Sequence, residues 1–210
     1  MTTFTGPPAE GEAGIGALTL GGLLAETCEA HHELDAIAAR AADGSTVRWT
    51  YADLSREARR YAKGLMATGV GRGTRVGLLV PNRAEWLAAA FGTAMCGGVL
   101  VPLSTFATGD ELAQLLAHSG VGVLIAQRGF ARSPLEALAE DCPGLLDGPP
   151  APLTNDRFPH LRRIVDIGGA EPAGACAPVA ALLAAGDDVP DAVLDAAIAA
   201  VTPADDAVII

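Results

Sequence analysis

Residues 76–126 read VGLLVPNRAEWLAAAFGTAMCGGVLVPLSTFATGDELAQLLAHSGVGVLIA. Three apolar runs stand out, at 76–80, 99–101 and 121–126; glycine and proline bound the first, and Pro102 closes the second. Uninterrupted runs of this kind suit strands buried on both faces, as in a parallel sheet. Helical stretches lie between them, at about 84–95 and 108–118. The second opens on Thr108-Gly109-Asp110-Glu111, a capping box in which hydroxyl and carboxylate satisfy each other's backbone N–H groups. Strand, helix, strand, helix, strand with short connections predicts right-handed crossovers and an open parallel sheet.

Working outward, residues 18–32 read as a helix with Leu20, Leu23, Leu24 and Thr27 on one face. Short strands at 37–40 and 47–50 flank Asp43-Gly44, a turn former, and predict a β-hairpin. Thr50 caps the next helix, with Asp53 three residues on. Leu54, Ala58, Tyr61, Ala62 and Leu65 follow at helical spacing, and Arg56, Arg59, Arg60 and Lys63 occupy other faces. Gly69 is placed to end that helix in a left-handed conformation. Downstream, Pro and Gly crowd a loop or surface insertion at about 142–160. Residues 164–167 form a strand stopped by Gly168-Gly169, and Ala-rich helices follow at about 178–185 and 191–201. The last residues, Ala207-Val208-Ile209-Ile210, are strand-like. Residues 1–17 read as a flexible leader without the basic start or apolar run of a secretory signal.

The 210 residues suit one large domain. Half are hydrophobic and only 4% aromatic, so Ala, Val, Leu and Ile must build the core. A formal charge of −11 disfavours nucleic acid as a partner. Residues 86–109 carry no charge over 24 positions, enough to span a bilayer. Gly97-Gly98 and Pro102 interrupt them, so a buried helix and strand are expected instead of an integral membrane segment. The four cysteines form no C-x-x-C pair and read as reduced thiols of a cytoplasmic protein. Lys63 is the only lysine.

No constellation names a reaction. Gly69-Val70-Gly71-Arg72-Gly73 follows a helix and precedes a strand, the reverse of a dinucleotide loop. Gly168-Gly169 follows a strand, but without the lysine or third glycine of a phosphate loop. Metal-ligand spacings and a G-x-S-x-G elbow are missing, so neither catalytic nor metal-binding residues are assigned. Asp187-Asp188 and Asp205-Asp206 read as solvated faces.

The segment order nonetheless resembles the N-terminal part of the ANL superfamily of adenylate-forming enzymes, which includes AMP-dependent acyl-CoA synthetases. Thr50-Tyr51-Ala52-Asp53-Leu54 resembles its T-Y-x-E-L motif, with Asp for Glu. GVGRGTRVG at 69–77 resembles its G-V-x-x-G-D-x-V segment, and Pro81-Asn82-Arg83-Ala84-Glu85-Trp86 its P-N-x-x-E-W turn. AMCGGVLVPLS at 94–104 resembles A-x-x-x-G-A-v-x-v-P-l-n, with Gly98 where alanine is commoner. Glu111-Leu112, Ser119-Gly120 and Val123-Leu124-Ile125 continue the run. The resemblance covers residues 18–210, a partial adenylation domain.

What it implies is a layered parallel-sheet α/β subdomain, its sheet incomplete, with a small N-terminal β-hairpin. The whole enzyme would join a carboxylate, such as a fatty acid, to ATP, and pass the acyl group from acyl-AMP to CoA, using Mg2+. Residues 202–210 resemble the lead-in to the family's Ser/Thr/Gly-rich phosphate loop. The chain therefore reads as truncated before that loop, inactive alone, and unable to bind ATP, Mg2+ or CoA tightly. A CoA contact is implied for the loop Ser104, Thr105 and Phe106. A non-catalytic α/β binding or interaction module derived from the same fold is the alternative. The sequence leaves the choice of acid and the oligomeric state open.

Overall fold

The computed structural model describes residues 17–40, 44–129, 133–150 and 152–210. The leader up to residue 16 and Asp43 of the expected turn lie outside them. Thr19 caps α1 (Leu20–His31), with its hydroxyl accepting from the Gly22 N–H. The antiparallel strands β1 (Asp35–Arg40) and β2 (Thr46–Thr50) form the expected hairpin. α2 (Tyr51–Ala67) begins at the predicted capping box: Thr50 Oγ1 accepts from the Asp53 N–H at 3.1 Å, and Asp53 Oδ2 from the Thr50 N–H at 3.0 Å. Gly69, at φ +90°, takes the left-handed conformation that releases the chain into the sheet.

The sheet comprises β3 (Arg75–Leu79), β4 (Val99–Pro102), β5 (Val123–Ala126), β6 (Arg163–Asp166) and β7 (Cys176–Pro178). All pairings are parallel, in the order β4-β3-β5-β6-β7. Beyond β4, Val208 makes a parallel bridge to Leu100: the Leu100 N–H donates to Ala207 O and the Ile209 N–H to Leu100 O, each at 2.9 Å. The strand-like run at 207–210 thus meets the sheet edge through one isolated bridge.

Helices α3 (Ala84–Met95), α6 (Val179–Ala185) and α7 (Asp191–Ala200) share one face of the sheet with α1 and α2. α4 (Gly109–Ser119) and α5 (Pro134–Asp141) cover the other face. Side chains alternate between these layers. Val76, Leu78, Val123, Ile125 and Val165 point to the first, Leu79, Leu124, Ala126 and Ile164 to the second. Among the described residues no helix is long and apolar enough to cross a membrane.

The first layer is built from small residues. Ala58, Ala62, Ala88 and Ala89 are buried between α2 and α3. A Cβ on Gly92 would lie 2.7 Å from Ala58 O and 2.9 Å from Ala62 N, so the two backbones touch. On another side of α2, a Cβ on Gly64 would lie 2.5 Å from Leu182 O of α6. Such approaches replace aromatic bulk, in keeping with the composition.

Two expectations need correction. On α1 it is Gly21 and Leu24 that are buried, while Leu23 is 49% exposed; Gly21 lets the helix lie against Met95 of α3. Within 142–160, Cys142, Leu145 and Phe158 are buried in the second layer. Asp205 is not on a solvated face: it accepts from the Thr202 N–H at 2.7 Å and pairs with Arg72. α5 and β7 were not anticipated. α5 has the Ser133-x-x-Glu136 spelling of a capping box, but the Ser133 side chain makes no cap bond and Glu136 turns to Arg128. β7 is only three residues long, too short for periodicity to register.

These contacts generate three predictions. Replacing Gly92 with Ala should destabilise the protein by about 1–2 kcal/mol in urea titrations, although alanine favours helices, because the added methyl meets backbone. Burial makes Cys96 inert, its thiol pKa pushed up to about 11, and Cys142 and Cys176 are also buried. A thiol reagent at pH 8 should therefore label the half-buried Cys28 rapidly and the other three only in denaturant. Finally, bonds from Thr108 hold the Glu111 carboxyl below its usual range, as bonds from Thr50 and Arg56 do for Asp53. Their stabilisation is complete above the ordinary carboxylate pKa of about 4 and is lost as pH falls through the lower folded values. Glu111→Gln should flatten the acid limb of the Tm–pH curve.

Candidate functional site

Parallel strands send their following loops to one edge of a sheet, and side chains there converge. At this carboxyl edge β4 leads to Ser104, Thr105 and Phe106, β3 to Asn82 and Arg83, β5 to Gln127 and Arg128, and β6 to Gly168.

The β4–α4 loop is held at both ends. The Leu103 N–H donates to Leu78 O at 2.9 Å. At the far end Thr108 caps α4, its Oγ1 accepting from the Glu111 N–H at 3.3 Å and its own N–H donating to Glu111 Oε2 at 2.8 Å. Between these anchors the Phe106 N–H donates to Ser104 Oγ at 3.2 Å. Phe106 is 96% exposed. It borders an open groove of about 1050 Å³ along α4, together with Ser104, Ala107, Gln114, Leu115 and His118. Of the expected trio, Ser104 and Phe106 meet at this groove, and the half-buried Thr105 does not line it. A free aromatic face beside a hydroxyl, an amide and an imidazole can stack a planar ring and hydrogen-bond its edge.

At the end of β6, Asp166 is 5% exposed. Its Oδ1 accepts from the Gly168 N–H at 2.9 Å and the Arg128 N–H at 3.2 Å. A Cβ on Gly169 would lie 2.5 Å from Asp166 Oδ2. The glycine pair thus serves a turn around a buried carboxylate, consistent with its lack of phosphate-loop character. At the end of β3, Arg83 grips Glu85 through Nε and Nη2 at 2.8 and 2.7 Å, and its Nη1 donates to Gln127 Oε1 at 2.9 Å. The Arg83 guanidinium holds the Glu85 carboxyl below its usual range, against the opposing effect of burial. Sequence reasoning missed Arg83, Gln127 and Asp166; the strand–turn–helix order around Pro81-Asn82 was the available signal for the first.

Lys63 Nζ lies 2.9 Å from Asp191 Oδ1, and Arg59 binds Asp191 and Asp195 at 3.1 and 2.8 Å. The lysine therefore ties α2 to α7. Among the described residues no group of three or more His, Cys, Asp or Glu comes together to hold a metal ion. No step through ATP or Mg2+ is assigned to these residues.

A five-stranded parallel sheet with helices on both faces and an antiparallel hairpin matches the N-terminal domain of acyl-CoA ligase structures. The chain belongs to the AMP-binding enzyme family, whose model matches residues 24–189. It is 34% identical over 151 residues to YngI of Bacillus subtilis (strain 168), assigned as an acyl-CoA synthetase, covering 71% of this chain and 27% of YngI. It is 40% identical over 79 residues to the long-chain-fatty-acid–CoA ligase FadD13 of Mycobacterium tuberculosis, covering 38% of this chain and 16% of FadD13. The crystal structure of the anthranilate CoA ligase AuaEII with anthranoyl-AMP superposes with a TM-score of 0.63 at 23% identity, covering 79% of this chain and 28% of AuaEII. The match to YngI thus spans about a quarter of that relative's length.

Because the Phe106 ring packs on nothing, Phe106→Ala should change unfolding free energy by less than about 0.5 kcal/mol. The fully buried Leu112 nearby should cost about 2–5 kcal/mol when cut to alanine. Urea denaturation of both variants checks the contrast.

Proposed function

We propose that the chain is the N-terminal portion of an ATP-dependent acyl-CoA synthetase. In the whole enzyme a carboxylate and ATP give acyl-AMP and pyrophosphate, and CoA then takes the acyl group as a thioester. ATP, Mg2+ and CoA belong to that whole enzyme. The family match over residues 24–189 is the observation that carries this reading. The relatives FadD13 and AuaEII differ in acid, fatty in one and anthranilate in the other, and the proposal extends to a fatty or related carboxylic acid. Residues 18–210 then act as a partial adenylation domain, and the cytoplasm suits its four free thiols.

Within that enzyme the groove beside Phe106 takes the CoA nucleotide. The exposed ring stacks on the base and Ser104 Oγ, at the groove edge, bonds to it; Thr105 supports the loop from behind. Support comes from the exposed ring and the groove beside it at the sheet's carboxyl edge. The isolated chain is inactive in this reading, since its only lysine is engaged by Asp191.

Two measurements test it. The isolated chain with ATP, Mg2+, CoA and a panel of carboxylic acids should release no pyrophosphate above a protein-free control; release would overturn the inactivity. In the whole enzyme, Phe106→Ala should raise KM for CoA about tenfold, the loss of one aromatic–base stack, with KM for ATP unchanged. An unchanged KM for CoA would remove Phe106 from the nucleotide site.

A further inference from the structure

We propose that the crevice between the carboxyl ends of β3 and β5 binds a small oxyanion of the phosphate class. The site is separate from the Phe106 groove and does not depend on the function proposed above.

Topology opens this crevice. The loop leaving β3 turns to α3 on one face of the sheet, while the chain leaving β5 turns to α5 on the other. β3 and β5 are neighbours, so their loops diverge above the shared edge, the arrangement that leaves a ligand-sized gap in open parallel sheets. A cavity of about 290 Å³ lies there, walled by Asn82, Arg83, Glu85 and Gln127, with Arg40 and Val47 of the hairpin opposite. It has room for one phosphate group and a small substituent, not for a dinucleotide.

The side chains are arranged as donors. Arg83 uses three of its N–H groups on Glu85 and Gln127; a guanidinium has about five, so two remain. Gln127 gives its carbonyl oxygen to Arg83, leaving its NH2 group as a donor. Both Glu85 oxygens are occupied by Arg83. Among the described residues Arg40 bonds to the carbonyl of Gly44, and its charge meets no carboxylate. α3 starts at the crevice with Arg83 as its N-cap, and that cap gives no side-chain bond to the first-turn N–H groups. Arg83 and Arg40 against Glu85 leave one positive charge on the wall. The further carboxylate near Arg83, Asp166, is buried and turned to the N–H groups of Arg128 and Gly168. A ligand that only accepts hydrogen bonds and carries negative charge completes this set. Arg83 is already fixed by three bonds, so little order is lost on binding.

The test uses the chain itself, with 1H–15N NMR and inorganic phosphate as probe, at ionic strength held constant with chloride. Saturable shifts are expected at the amides of Ala84, Glu85, Trp86 and Gln127. Arg40→Ala and Asn82→Asp should each weaken binding about tenfold. Both positions are exposed, and an unchanged Tm confirms that each variant is folded. Methyl phosphate forms a second arm: tighter binding than inorganic phosphate assigns a phosphomonoester, and weaker binding assigns the free anion. The proposal is overturned if chloride alone produces the shifts, if acetate binds as tightly as phosphate, or if neither variant alters the affinity.

Discussion

The contact on which the architecture depends is backbone against backbone. α2 meets α3 where Gly92 faces Ala58 and Ala62, and meets α6 where Gly64 faces Leu182. At these two points main-chain atoms meet directly, and they cannot rearrange as a long side chain can. The same close approach sets the strands between α2 and the second layer, and hence the loops at the carboxyl edge.

Charge then joins what packing has placed. Arg59 and Lys63 of α2 reach Asp191 and Asp195 of α7, far away in sequence, and Arg72 reaches Asp205. Exposed pairs of this kind contribute little to stability individually. They tie α7 to α2, and the segment before Val208 to the turn that precedes β3. Chemistry that needs an amine must look beyond Lys63, because Asp191 already occupies it.

The elements that can be read in the sequence are those whose signal is local. Both capping boxes, the left-handed turn at Gly69, the hairpin and the buried strands of 76–126 rest on residues within a few positions of each other. What escaped depends on distant partners. Leu23 looked like a core residue until α1 settled with Gly21 against Met95, and Asp205 looked solvated until Arg72 arrived. Glu136 left its capping role for Arg128, which hid α5. At the carboxyl edge, Ser104 and Phe106 were legible through resemblance, but the exposure of the ring was not. Arg83 and Gln127 lie 44 positions apart, and only the strand order brings them together.

Strand β5 lends Val123 and Ile125 to one apolar cluster and Leu124 and Ala126 to the other. Neither layer can dissolve without dragging this ribbon out of register and exposing its opposite side. Heat or denaturant that loosens one side therefore also strips the support from the other.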